Sequence, residues 1–320
     1  NQLDTRDRTD DEAVVNVAPT VARQGRVVST LCTTTSFRSA ALIVTLLVLA
    51  ACGSSAQPGT IGDLDPERRG PQGRLAQFVV QCDLSHAAFD DPLVLPWQPG
   101  KSHLHLFFGN NAVDSNPVYD DRLLNADTSC EQRRDTASYW APPLLDPMGS
   151  TIEPISMTAY YRPGQGVDYE QIVAYPEGLM LIGGNSSSQQ PQPTDIVAWS
   201  CGTGAVREPA PLQCGENSTL RMIVTFPDCW DGVRLTGLGS SAHARYSSIE
   251  TNGCPASHPV VLPQLMIGID YPPVDPTDLS LSSGGVETAH ADFWNVWDQT
   301  KLEGEVANCL NRGLVCGVSS

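Results

Sequence analysis

No two cysteines of this 320-residue chain form a CxxC pair, and without such pairs the usual thiolate zinc clusters lose their sequence support. GxSxG, the Walker loop, HExxH and a dinucleotide GxGxxG following a strand are missing too, so the common esterase, nucleotide-hydrolase, zinc-protease and Rossmann readings find nothing to stand on. No apolar run reaches the roughly 20 residues a membrane-spanning helix takes. No repeat of solenoid or propeller period is visible. Basic residues are few: 19 Lys and Arg stand against 36 Asp and Glu, a formal net charge of −17. Such a surface repels phosphate backbones, which argues against nucleic acid as a partner.

The longest apolar stretch, AALIVTLLVLAAC from Ala40 to Cys52, is short, follows Arg38 and ends in small residues. It reads as the hydrophobic region of an export signal. Leu49-Ala50-Ala51-Cys52 resembles the bacterial lipobox, which implies cleavage before Cys52 and a lipid on its sulfur. Residues 1–37 are polar and unpatterned, and are read as an upstream extension outside the fold; 38–51 is then the signal peptide. The extension and signal carry five acids and five arginines, so setting them aside leaves the net charge at −17. Residues 52–73, rich in Gly, Pro and Ser, read as a tether between the lipid and a globular domain over 74–320. The expected location is the outer face of a bacterial cell membrane.

With Cys32 upstream and Cys52 lipidated, eight cysteines remain, and an even number in an exported chain argues for disulfides. Sequence proximity favours Cys201–Cys214, Cys229–Cys254 and Cys309–Cys316, which leaves Cys82–Cys130.

From Arg74 on, short strand-like runs alternate with turn-forming clusters: LAQFVVQC, HLHLFF, ISMTAYY, GLMLIGG, DIVAWSC, TLRMIVTF, VVLPQLMIGIDY and LSLS. That rhythm predicts a mostly β fold, a single sandwich or jelly-roll-like domain, and the 25 prolines suit turns and edges. Phe293, Trp297, Val306 and Leu310 are spaced at near-helical intervals. They predict a C-terminal helix over 293–311, with Asp292 as N-cap and Gly313 past its end.

In KSHLHLFFGNN, residues 101–111, His103 and His105 are two apart, which in a strand puts both imidazoles on one face and Leu104, Leu106 and Phe108 on the other. Two imidazoles make half a metal site, and imidazole suits zinc, copper and iron. His243, His258, His290 and Asp292 are the candidate further ligands. HADFWNVWD, residues 290–298, offers His290 and Asp292 as base and orienting partner, or as a plain helix cap. Trp140, Tyr160, Tyr161, Trp230 and Trp294 are candidate stacking faces for sugar rings, with Asp231 beside Trp230. Asp135, Asp231, Asp292 and Asp298 are the acids in aromatic surroundings, where desolvation raises a carboxyl pKa.

Taken together, SHLHLFFG, DTASYWAP, PEGLMLIGGN, FPDCWDG, CPASHPVVLP and HADFWNVWD resemble a secreted fungal and actinobacterial family catalogued as a domain of unknown function, in fungi sometimes joined to WSC carbohydrate-binding modules. The resemblance carries the family's recurrent polar residues onto His103, His105, Asp135, Asp231, His243, His258, His290, Asp292 and Asp298, and its cysteines onto Cys229 and Cys254 among others. Ala291 and Val296 stand where the family usually has glycine. The resemblance implies action on a cell-wall or environmental polysaccharide. Three readings stay open: glycan cleavage by His103, His105, His243, His290 and Asp292 in one cleft; a noncatalytic module with an exposed aromatic platform; and copper or zinc held by the histidines.

Overall fold

The computed structural model describes residues 75–203, 206–237 and 241–317. The upstream extension, the signal-like run, Cys52 and the tether lie outside these residues. Strands follow in chain order as β1 (Gln77–Cys82), β2 (Leu84–Ala88), β3 (His105–Gly109), β4 (Ser138–Ala141), β5 (Leu144–Leu145), β6 (Ser156–Arg162), β7 (Met180–Gly184), β8 (Val197–Cys201), β9 (Leu220–Thr225), β10 (Cys229–Trp230), β11 (Ala244–Arg245), β12 (Val260–Val261), β13 (Gln264–Tyr271), β14 (Ser280–Leu281), β15 (Gly284–Gly285), β16 (His290–Trp294) and β17 (Val315–Gly317). Helix is scarce: a single turn α1 (Asp121–Leu124) and α2 (Gln299–Glu305). Each strand-like run named above carries a strand, and the mostly β expectation holds.

Two sheets dominate. One has six strands in the order β17-β1-β6-β13-β9-β8, the other five in the order β2-β3-β4-β16-β7. Alternation along each strand sends one set of side chains between them. Phe78, Met157, Tyr161 and Ile267 from the first sheet and Phe108, Tyr139, Leu181 and Phe293 from the second belong to one continuous buried cluster. This is the sandwich core. The sheets approach closely at Gly183 on β7, where a Cβ would stand 2.9 Å from the Thr225 carbonyl oxygen on the facing sheet. Only glycine lets the backbones meet there, and the neighbouring Ala291 is accommodated, fully buried, across the ladder from it.

A polar chain runs through this core. The Tyr139 hydroxyl donates to the Asp135 carboxyl at 2.8 Å and is also bonded to the Tyr161 hydroxyl, which accepts from the Trp297 indole N–H at 3.0 Å. Burial drives the Asp135 pKa up to about 8, against the opposing bonds from Tyr139 and the Ala137 amide. The Tyr139–Tyr161 hydroxyl pair links the two sheets, and Asp135 anchors its Tyr139 end.

The four disulfides pair as sequence proximity suggested: Cys82–Cys130, Cys201–Cys214, Cys229–Cys254 and Cys309–Cys316. The last fastens the C-terminal helical segment to β17, which pairs parallel with β1. Closing loops of this size removes on the order of 3 kcal/mol of unfolded-state entropy each in the chain-entropy picture.

The C-terminal helix begins later than its spacing suggested. Residues 290–294 form β16, because His290, Asp292 and Trp294 alternate with Ala291 and Phe293 at the strand period of two. α2 starts at Gln299, is capped by the Asp298 carboxylate accepting from the Lys301 amide at 3.0 Å, and runs on as a π turn over Val306–Leu310. Asp298, not Asp292, is the N-cap, and Gly313 takes a positive φ of 65° past the end.

Asp135 gives the fold a pH signature. Its folded pKa lies above the unfolded value, so the native state holds an extra proton between pH 4 and 8, and stability falls as pH rises through that window. Urea unfolding should show the wild type losing on the order of 2–3 kcal/mol more than Asp135→Asn between pH 6 and 9. Parallel pH curves for the two proteins would contradict this account.

Candidate metal centre

The outer face of the five-stranded sheet is also covered. Leu93, from the loop of residues 89–104, and Val113 and Leu123, from the segment between β3 and β4, pack with Phe107, Trp140, Met180 and Trp294 in a second buried cluster over it. On that face β16 presents His290, Asp292 and Trp294, and β3 presents His105 and Phe107. Trp140 on β4 pairs with Phe107 on one side and Asp292 on the other. β4 stops at Ala141, since Pro142 and Pro143 cannot continue the ladder. By this register His105 and His290 lie one step beyond the end of the strand that separates them, and their ring centroids are 5.9 Å apart.

Three imidazoles meet there. His103 and His105 have ring centroids 4.2 Å apart, His103 and His290 5.1 Å, and His105 and His290 5.9 Å. Each offers a ring nitrogen, and the three nitrogens lie within 4.8 Å of one another. β3 begins at His105, so His103 reaches the group from the end of the covering loop, not from the strand the sequence suggested. His105 shares a second group with Asp91 and Asp292, again with ligand atoms within 4.8 Å of one another.

Hydrogen bonding fixes the rings. His105 Nδ1–H donates to the Asp90 carbonyl at 3.0 Å and His290 Nδ1–H to the Thr288 carbonyl at 2.8 Å, which leaves both Nε2 lone pairs free. Backbone anchoring of the far nitrogen is the habitual posture of a metal-ligating histidine. Nε2 of His103, Nε2 of His105 and both oxygens of Asp292 are buried and find no hydrogen-bond partner among the described residues. Burial pulls the His290 pKa down to about 4, and burial with the neighbouring His103 and His290 holds His105 well below its ordinary value. Burial lowers His103 as well, so all three imidazoles favour the neutral form near pH 7. Burial, then the Asp91 charge, pushes Asp292 well above the usual carboxylate range. Asp91 itself is held by the Leu93 and Val94 amides at 3.0 and 2.9 Å.

Other candidates are placed elsewhere. His243 Nε2–H donates to the Met180 carbonyl at 2.7 Å, at the end of β7 that pairs with Trp294, whereas His290 faces Gly184 at the other end. His258 bonds the Ala242 carbonyl beside it. Neither reaches the three-imidazole group. Asp231 is tied to Arg234 at 2.7 Å, and Asp298 to Arg134 at 2.7 Å. Trp140, Tyr161 and Trp294 are fully buried, so the five-residue aromatic platform does not form. Tyr160 and Trp230 are partly exposed but lie on different sheets, the Trp230 indole donating to the Arg234 carbonyl.

The aromatics that do face solvent near the centre are ones sequence reasoning passed over. Phe89 is 55% exposed and Trp97 63% exposed, both on the loop that supplies Asp91 and His103. Trp97 sits at φ 63°, a left-handed conformation that costs a non-glycine residue on the order of 1 kcal/mol. The Ser102 amide donates to the Phe89 carbonyl, closing the loop next to His103. Asp91 was equally unmarked in sequence, although the dipeptide Asp90-Asp91 just after β2 was the available signal.

His103 is the partly exposed member of the group and His105 is fully covered. Acylation of the native protein by diethyl pyrocarbonate should therefore label His103 well before His105, as read by peptide mass spectrometry. Equal labelling would mean the covering loop does not seal the site.

No curated protein and no solved structure matches this chain. A family model does, over residues 91–297, a span that takes in Asp91, the three imidazoles, Asp292 and the strands that carry them. The chain belongs to the family described as Domain of unknown function (DUF1996).

Proposed function

We propose that the domain is an extracytoplasmic metalloprotein whose centre is formed by His103, His105 and His290, with Asp292 beside it, and that it acts on polysaccharide. One observation carries this reading. Three imidazoles offer ring nitrogens within 4.8 Å of one another, His105 also joins Asp91 and Asp292 in a second such group, and Nε2 of His103, Nε2 of His105 and both Asp292 oxygens are buried without a hydrogen-bond partner among the described residues. Packing only acceptors together is costly unless a cation satisfies them, because each unpartnered buried polar group costs roughly 1–3 kcal/mol. Three histidines with one side left open is the donor set of catalytic zinc sites, and it also suits copper. Such an ion supplies Lewis acidity. The chain's own part is to fix the rings through the Asp90 and Thr288 carbonyls, to exclude water with Phe107, Trp140 and Trp294, and to keep the Asp292 carboxyl close to His105 as a proton acceptor.

Four disulfides fit an oxidising compartment, and among the described residues no helix is long and apolar enough to cross a membrane. Attachment through a lipid on Cys52 rests on the lipobox-like sequence. Polysaccharide as the substrate class is supported by Phe89 and Trp97, exposed on the same loop as His103, since flat aromatic faces are suited to sugar rings.

Metal-free acid–base cleavage by Asp292 and a histidine is the second reading, favoured by the raised Asp292 pKa. Elemental analysis decides between them. The purified full chain should carry about one zinc or copper per molecule, His105→Ala should carry none, and His243→Ala should retain it. A metal-free wild type that still releases sugar from polysaccharide in the presence of chelator would leave the second reading standing and remove the first.

A further inference from the structure

The outer face of the six-stranded sheet runs against the charge of the whole chain. Strand alternation brings Tyr160 and Arg162 of β6, Arg221 of β9 and Met266 of β13 to it. Arg207, on the segment after β8, leans over the same face, one guanidinium nitrogen 3.0 Å from the Met266 sulfur. A cavity of about 650 Å³ lies against Arg162, Arg207, Tyr246 and Gln264, and a second of about 250 Å³ against Tyr160, Arg162, Arg207 and Arg221. The two share Leu75, Arg162 and Arg207, and so form one groove.

Three arginines gather here in a protein of net charge −17. Among the described residues one of the three is ion-paired. Arg221 is ion-paired with Asp270 and donates to the Tyr160 hydroxyl at 2.8 Å. Arg207 makes no ion pair among the described residues; beyond the sulfur contact, its guanidinium donates to the Thr194 carbonyl at 3.5 Å. The half-buried Arg162 side chain makes no hydrogen bond or ion pair among the described residues, and burial with the neighbouring Arg207 charge pulls its pKa down to about 10, against the opposing Asp228 charge. The nearby acids are otherwise placed. Asp228 lies behind the wall, its Oδ1 accepting from the Ser247 amide at 2.9 Å, and Asp195 is exposed at the rim. Neither is ion-paired with Arg162 or Arg207. Arg162 and Arg207 repel each other, and Asp228 and Asp195 offset that repulsion only from beyond ion-pair distance, so the two guanidinium groups keep their pairing capacity for a ligand.

The volume is that of a site for a small ligand of a few rings. Its walls offer hydrogen-bonding groups from Gln165, Gln264, Asn252 and Tyr246, which suit a polyhydroxylated molecule. We propose that this groove binds an acidic oligosaccharide, its carboxylate or phosphate seated between Arg162 and Arg207. Planar guanidinium forks match either anion through paired donors. The groove lies on the opposite sheet from the three histidines, and its assignment does not depend on the metal centre.

Isothermal titration calorimetry on the full chain tests this with three probes: trigalacturonic acid, its methyl ester, and glycerol 3-phosphate. At least one acidic probe should bind, and the ester should not. Which acidic probe binds more tightly assigns carboxylate or phosphate as the recognised group. Arg162→Gln and the less buried Arg207→Gln should each weaken binding about tenfold or more, with the thermal unfolding midpoint confirming that each variant is folded. Chelator should leave the affinity unchanged. Binding of the ester as tight as the acid, no binding of either acidic probe, full affinity in a folded Arg207→Gln, or affinity abolished by chelator would each overturn the assignment.

Discussion

Burial of the five-stranded sheet on both faces governs the chemistry of this domain. Its inner side packs on the six-stranded sheet and its outer side lies beneath the loop of residues 89–104 together with the segment that carries Val113 and Leu123. An antiparallel sheet in a sandwich ordinarily keeps one side in water, where histidines and aspartates are solvated at no cost. Here the covering loop removes that water, and the polar residues alternating along β3 and β16 become desolvated acceptors. The depressed imidazole pKa values and the raised Asp292 pKa follow from that one arrangement.

The same arrangement sets an energetic tension. Unpartnered acceptors destabilise the folded state, and an ion that satisfies them returns its binding free energy as folding free energy. The remainder of the fold tolerates the tension because it is held independently, by the continuous inner core, by the chain of bonds linking Asp135, Tyr139, Tyr161 and Trp297, and by four disulfides. Strain at Trp97 belongs to the loop that completes the site. Non-glycine residues in such conformations tend to gather where a ligand is clamped.

The sandwich thus offers two unlike outer surfaces. One is lined by buried acceptors and covered by a loop; the other is a groove where the Arg162 and Arg207 side chains make no ion pair among the described residues. Both arise from the period-two alternation of strands whose inward residues are committed to a common core. What differs is the cover. Residues 89–104 seal the first surface, while the second is bordered by Arg207 and by the turn after β6 and left open.

Alternation, turn punctuation and cysteine spacing are local properties, so strands, fold class and disulfide pairs were legible in the sequence. So was the pairing of His103 with His105, two residues apart. His290 and Asp292 were legible as residue types but placed just ahead of a helix instead of on a strand, because Phe293 and Trp297 mimic helical spacing over too few residues. Convergence of the imidazoles, exclusion of His243, and the joining of Asp91 to His105 and Asp292 depend on which strands become neighbours and where β4 ends. Burial of Trp140, Tyr161 and Trp294, and exposure of Phe89 and Trp97 in their stead, depend on what packs over each face. Sequence by itself determined the strands and their staples; the tertiary structure alone decided which polar groups meet and which of them lose water, because cross-strand register and loop cover are made by residues far apart in the chain.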